Sequence, residues 1–135
     1  MIPDPIFGEL ISSYSRAEAI ADGVLVDVSR QASPAEMLGG FTVPVAVTAA
    51  LWAAIEAIPP RLIGIADTRG RLHDVLWMAR VFLMQQRHPG RYQSVIFALV
   101  LPSRGTRFQT RRVLVNLGPS DDGGPCVTIG FPDDF

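Results

Sequence analysis

The sequence predicts an α+β fold, an antiparallel sheet of about four strands with helices packed on one face. Three observations predict it. Helical segments with recognisable start and stop residues dominate the chain as far as His88. After Gly90 the apolar period changes to two, the period of a half-buried strand. The last three alternating runs are joined by short turns containing glycine, which gives hairpins rather than helical crossovers. With 135 residues, 48% of them hydrophobic, residues 1–135 are expected to form one domain around one core.

The elements follow in order. Ser15 and Glu18 form a capping box ahead of "RAEAIAD", and Gly23 ends that helix in the usual C′ position. "VLVDV", Val24 to Val28, is rich in β-branched residues and reads as a strand. Val24, Val26 and Val28 are expected to face the core, with Leu25 and Asp27 on the other side. A mid-strand aspartate should lie near solvent or pair with Arg16. Ser33 and Glu36 form a second capping box, with Pro34 at the first helical position, over a short helix ending at Gly39-Gly40. "FTVPVAV" is extended, and Pro44 places it at an edge or in a loop. Thr48 caps "AALWAAIEAI", which Pro59-Pro60 terminates. "LIGIA" is a candidate short strand within a connection. A long helix is expected from about Leu72 to His88, closed by Pro89-Gly90. "QSVIFALVL", "TRRVLVNL" and "CVTIGF" then form a meander through the turns "PSRGTRFQ" and "GPSDDGGP".

Composition narrows the function. The formal net charge of −1 draws the protein onto neither nucleic acid nor anionic lipid. Mean hydropathy is high at +0.27, yet no apolar run reaches the roughly 18 residues of a membrane span. "MIPDPIFGEL" lacks the basic start and continuous apolar stretch of a signal peptide, so a cytoplasmic protein without a membrane partner is expected. The one cysteine, Cys126, permits no internal disulfide and no Cys-rich zinc site. All 12 cationic residues are arginine. GC-rich bacterial coding explains this, as does selection for planar bidentate donors.

The segment "GRLHDVLWMARVFLMQQRH" holds both histidines. On a helical wheel Leu72, Val75, Leu76, Ala79, Phe82 and Leu83 form the core stripe. Trp77, Val81 and Met84 lie on the opposite side, flanked by His73, Asp74 and His88. Either the helix Ala49–Ile58, with Trp52, covers this second stripe, or it meets a partner, since aromatics and methionine are enriched at interface centres. His73 and His88 stand roughly 22 Å apart at 1.5 Å per residue, too far to share a metal ion. Asp74 suits the first turn of a helix, with Arg69 or Arg71 as its partner. No metal site, cofactor or catalytic set is expected here.

Arg104, Arg107, Arg111 and Arg112 surround Phe108 in one hairpin, a pattern that could hold phosphates and stack a base. The other reading is a solvated hairpin balanced by Asp121, Asp122, Asp133 and Asp134. Those four acids are themselves candidates for engaging a basic groove on another protein. No P-loop, dinucleotide fingerprint, nucleophile elbow or zincin motif occurs. Cys126 begins an apolar strand without a histidine nearby and reads as a buried, inert thiol.

Taken together, "ISSYSRAEAIADGVLVDVS", "VPVAVTAALW", "GRLHDVLWMAR" and "GPSDDGGPCVTIGFP" resemble a family of small uncharacterised bacterial proteins. Its members are often carried on plasmids, integrative elements and phages. The likeness spans nearly the whole chain and is most specific from Ser15 to Ser29. This chain departs from it at Ser33–Gly40 and in the apolar connection before Gly70. The resemblance supplies no catalytic residues. It implies a mobile-element accessory protein, a class that commonly blocks host defences such as CRISPR–Cas or aids plasmid maintenance.

The leading expectation is a non-enzymatic protein acting through protein–protein interaction, in concrete form an anti-CRISPR-like inhibitor, with a host or element-encoded protein as partner and a homo-oligomer allowed. One alternative is a nucleic-acid-binding accessory using the arginine hairpin. The other is a small enzyme with a site assembled from scattered groups such as Tyr14, Arg16, Asp27, His73 and Asp74.

Overall fold

A computed structural model of the chain describes residues 14–57, 67–102 and 108–135. Its elements are α1 (Arg16–Ala21), β1 (Leu25–Asp27), α2 (Ser29–Ala32), β2 (Val45–Thr48), α3 (Ala49–Glu56), α4 (Thr68–Met84), β3 (Gln93–Pro102), β4 (Phe108–Pro119) and β5 (Pro125–Gly130), then a 3₁₀ turn at Pro132–Asp134. The five strands form one sheet in the order β1-β2-β5-β4-β3. The fold is therefore α+β, but the sheet is mixed. β2 runs parallel to β5, pairing Val45 with Val127 and Val47 with Ile129, while the other neighbours are antiparallel. Pro44 does not push its segment to an edge. It stops one residue short of β2, where its missing N–H costs no ladder bond, and its carbonyl accepts from the Val127 N–H at 2.8 Å.

Alternation places Val45, Val47, Val95, Phe97, Leu99, Leu101, Val113, Val115, Val127 and Ile129 on one sheet face. They join Leu51 and Ile55 of α3 and Leu72, Val75, Leu76, Ala79 and Leu83 of α4 in one core. Phe82 is stacked on Phe97 with ring centroids 5.3 Å apart, so α4 packs against β3. The opposite face is partly covered as well. Ala46 and Cys126 are buried there, and the Arg16 guanidinium donates to the Thr128 hydroxyl and the Val127 carbonyl, each at 2.6 Å.

Several boundaries differ from those the sequence predicts. Ser33 does not cap a helix: its hydroxyl donates to the Arg30 carbonyl at 2.7 Å, so it closes α2 instead, and residues 33–39 form turns. The long helix starts earlier, because the Asp67 carboxylate accepts from the Gly70 N–H at 2.6 Å. It ends at Met84, where the Gln86 side chain donates to the Phe82 carbonyl at 2.9 Å and replaces a continuing backbone donor. Val24 lies before β1 and is exposed, whereas Val28 is buried and Val26 packs against the core. Asp27 is exposed as expected, but Arg16 is not its partner. Its carboxylate accepts from the Ser29 N–H and hydroxyl at 3.0 and 2.6 Å. The "LIGIA" segment lies outside the described residues.

Candidate functional site

The longest of the described helices, α4, forms one wall of a surface cleft. Asp67 caps α4, and one turn on, Arg71 points across to α3. Its guanidinium donates to the Ala54 carbonyl at 2.8 Å and the Ala57 carbonyl at 3.2 Å. A helix C-terminus has unpaired carbonyls and a partial negative charge, so a cation there satisfies both. The side chain is nearly buried, and burial holds the guanidinium pKa below its ordinary value. Arg71 thus does not pair with Asp74, as the sequence allowed. It fastens α3 to the first half of α4, and Asp74 stands on the exposed side with its Oδ1 4.0 Å from Nδ1 of His73.

Between these helices and α2 lies a cleft of about 450 Å³, within the range of ligand-binding clefts. Its floor is apolar, built from Trp52 of α3 and Leu72 and Leu76 of α4. Arg30 and Gln31 of α2, Glu36 of the following turn, and Thr68, Arg69 and His73 of α4 complete the lining. Arg69 faces Glu36 at 3.7 Å, with its side chain 85% exposed. A pair so open to water is screened and holds neither partner tightly, so Arg69 remains able to meet an incoming carboxylate.

From His73 at the cleft's lining, one side of α4 carries further exposed side chains. His73, Trp77, Arg80 and Met84 fall at i, i+4, i+7 and i+11 and share one side of α4. Trp77 is 40% and Met84 56% exposed. Arg80 lies against Gly39, where a β-carbon would come within 3.2 Å of its Cζ, and the φ of +67° there already favours glycine. The expected covering of Trp77, Val81 and Met84 by the helix containing Trp52 does not occur. α3 sits instead beside Leu72 and Leu76, and Val81 is half-buried at the flank.

The acidic candidates are not one cluster. Asp121 accepts from the N–H groups of Arg16 and Ala17 at 2.8 and 3.0 Å, sharing the start of α1 with Ser15, which accepts from Glu18. Asp122 accepts from the Ser120 hydroxyl and the Gly124 N–H within its own turn. Asp134 accepts from the Thr48 hydroxyl at 2.7 Å and the Phe131 N–H at 2.8 Å. Asp133 is exposed. The length of β4 separates Asp121 and Asp122 from the arginine end of the hairpin. There Arg111 rests on the Phe131 ring, 3.8 Å from its centroid, a cation–π contact. Phe108 and Arg112 are exposed, whereas Arg104 and Arg107 lie outside the described residues.

The scattered groups considered for an enzyme do not converge. Tyr14 donates to Asp22 at 3.1 Å, Arg16 and Asp27 are engaged as described, and His73 and Asp74 stand on α4. Among the described residues no three His, Cys, Asp or Glu side chains are placed to hold a metal ion, and no helix is long and apolar enough to cross a membrane. Cys126 is buried, and that burial pushes its thiol pKa up. Of the cleft, only His73 was singled out in the sequence for possible chemistry. The grouping with Arg30, Glu36, Trp52 and Arg69 is tertiary and leaves no periodic signal.

Residues 6–135 match a protein family in one stretch. The chain belongs to the family of unknown function DUF6573. Neither the curated proteins nor the solved structures contain a match. In this DUF6573 chain the family match covers every element that builds the cleft, so the site lies within the family's own fold.

Proposed function

We propose that this chain is a non-enzymatic binding protein that acts through protein–protein contact at the α2–α3–α4 cleft and along the exposed ridge of α4. The observation that carries the reading is the exposure of Trp77 and Met84 on the side of α4 that also carries His73, which lines the cleft. The cleft itself has an apolar floor with Trp52, Leu72 and Leu76. That arrangement suits an apolar side chain anchoring a peptide segment, with further apolar contacts along α4. Arg30 and Arg69 line the cleft and Arg80 stands beside it, while Glu36 is the one carboxylate among the described residues of the cleft's lining, so the fitting segment carries acids beside its apolar anchor. A mobile-element setting, with an inhibitor of a host defence as its concrete form, is part of this proposal and rests on the sequence resemblance.

Comparative capture from host lysate at physiological salt tests it, using wild type and Trp77→Ala/Met84→Ala. Trp77 is 40% and Met84 56% exposed, so the melting temperature of the variant is measured alongside to separate a lost contact from lost packing of the indole. A protein recovered by wild type and depleted at least tenfold with the variant supports the reading. Equal recovery by both overturns it. A nucleic-acid reading keeps one observation in its favour, the exposure of Phe108 and Arg112 on the same face of β4. Affinity for labelled DNA or RNA that falls steeply with salt, and weakens in Arg112→Ala, would support that alternative.

A further inference from the structure

We infer that β3 is a self-association edge, through which two copies of this chain pair antiparallel about a two-fold axis at Ala98 to continue one sheet across the dimer. Among the described residues β3 is the last strand of the sheet, and it is ten residues long. A terminal strand presents alternate N–H and C=O groups sideways, an open template for another strand. Among the described residues, the backbone hydrogen bonds outside the helices and sheet ladders use none of residues 94–101.

Edges of monomeric proteins are normally guarded by charge, proline or a bulge. "QSVIFALVL" holds no charged residue and no proline, and Pro102 stands only at the strand's end. Its ladder with β4 runs without a bulge from Gln93↔Leu117 to Pro102↔Phe108. The solvent-facing side of this edge is apolar as well, with Ile96 43% and Val100 60% exposed and Ala98 exposed between them.

The occupant that fits is a second copy, because the strand is self-complementary about Ala98. An antiparallel pair centred there sets Ile96 opposite the partner's Val100 and Ala98 opposite the partner's Ala98 on the solvent side. On the core side, Phe97 meets the partner's Leu99 and Val95 the partner's Leu101. These four kinds of pair are all apolar, with Ser94 opposite the partner's Pro102 only at the ends, and opposed apolar side chains, β-branched ones among them, stabilise a sheet. A two-fold contact of this kind is closed, so it stops at the dimer.

Sedimentation equilibrium over roughly 1–100 µM, the range where a modest interface is resolved, tests the pairing on the full chain. Wild type should approach twice the chain mass at the upper end. Ile96→Lys with Val100→Lys opposes four cations across the two-fold and should leave a monomer. The exposure of both sites lets the fold tolerate the lysines, and an unchanged circular dichroism spectrum checks that. Ile96→Lys with Val100→Glu sets each lysine opposite the partner's glutamate and should restore the dimer at low salt. A monomeric wild type, a dimer that survives the double lysine, or no rescue by the lysine–glutamate variant would each overturn the inference.

Discussion

Arg71→Met removes the guanidinium that ties α3 to α4 while keeping an unbranched apolar side chain of similar reach. The Ala54 carbonyl, at 2.8 Å, loses a charge-assisted hydrogen bond, a class that contributes about 1.5–3 kcal/mol. The bond to the Ala57 carbonyl is longer, 3.2 Å, and Ala57 is exposed, so water can replace it at little cost. Loss of the cation at the α3 C-terminus adds about 0.3–1 kcal/mol. Methionine, unlike a buried guanidinium, has no charge to desolvate, which offsets part of the sum. The net expectation is a loss of about 2 kcal/mol, or roughly 6–10 °C in melting temperature for a chain of this size. Arg71→Lys, with one ammonium in place of a fork, should lose about half as much. Urea unfolding followed by tryptophan fluorescence reads this directly, since Trp52 and Trp77 lie on the two helices concerned. A methionine variant as stable as wild type would refute the reasoning. Burial would then have cancelled the guanidinium's bonds, and the cleft walls would be held by apolar packing alone.

Thr48→Val keeps the side-chain shape but deletes a hydroxyl that caps α3 at the Leu51 N–H and donates to Asp134. Thermal melting should show a loss of about 1–2 kcal/mol. Asp121→Ala leaves the Arg16 and Ala17 N–H groups without their acceptor and should cost about 1 kcal/mol without changing partner capture. Capture lost at an unchanged melting temperature would move Asp121 to the contact surface. The Asp122 carboxyl is held below its ordinary value of 3.8, chiefly by the Ser120 hydroxyl and then by the Gly124 N–H. Its contribution is therefore present above pH 3.8 and lost as the pH falls through the lower folded value. The melting temperature of wild type should exceed that of Asp122→Asn at neutral pH, and the difference should vanish in the acid range. A gap independent of pH would show that the charge is not what stabilises the turn.

What the sequence disclosed follows from how local each signal is. β3, β4 and β5 were legible because period-two alternation and glycine turns are written within a few residues of each other. Thr48 was legible as a cap for the same reason. β2 was not legible as a central strand. It has four residues, all buried, so it shows no alternation, and its parallel partner β5 lies some eighty positions away. Ser33 misled because a hydroxyl just past a helix end bonds backward as readily as forward. The cleft was the least legible feature. Trp52 and His73 were noticed separately, but the guanidinium of Arg71 that sets their helices side by side is a contact across 14–17 positions of chain.

The central claim is that the exposed side of α4 beside the cleft meets another protein, and site-specific photocrosslinking in host cells tests it most directly. A photoreactive residue placed at Trp77 or at Met84 should give the same discrete heteromeric adduct. The adduct should be absent when the probe replaces Glu18, which is exposed on α1, and should disappear when Arg30→Glu and Arg69→Glu reverse the charge at the cleft rim. No adduct from either α4 position, or an identical one from position 18, would contradict the account.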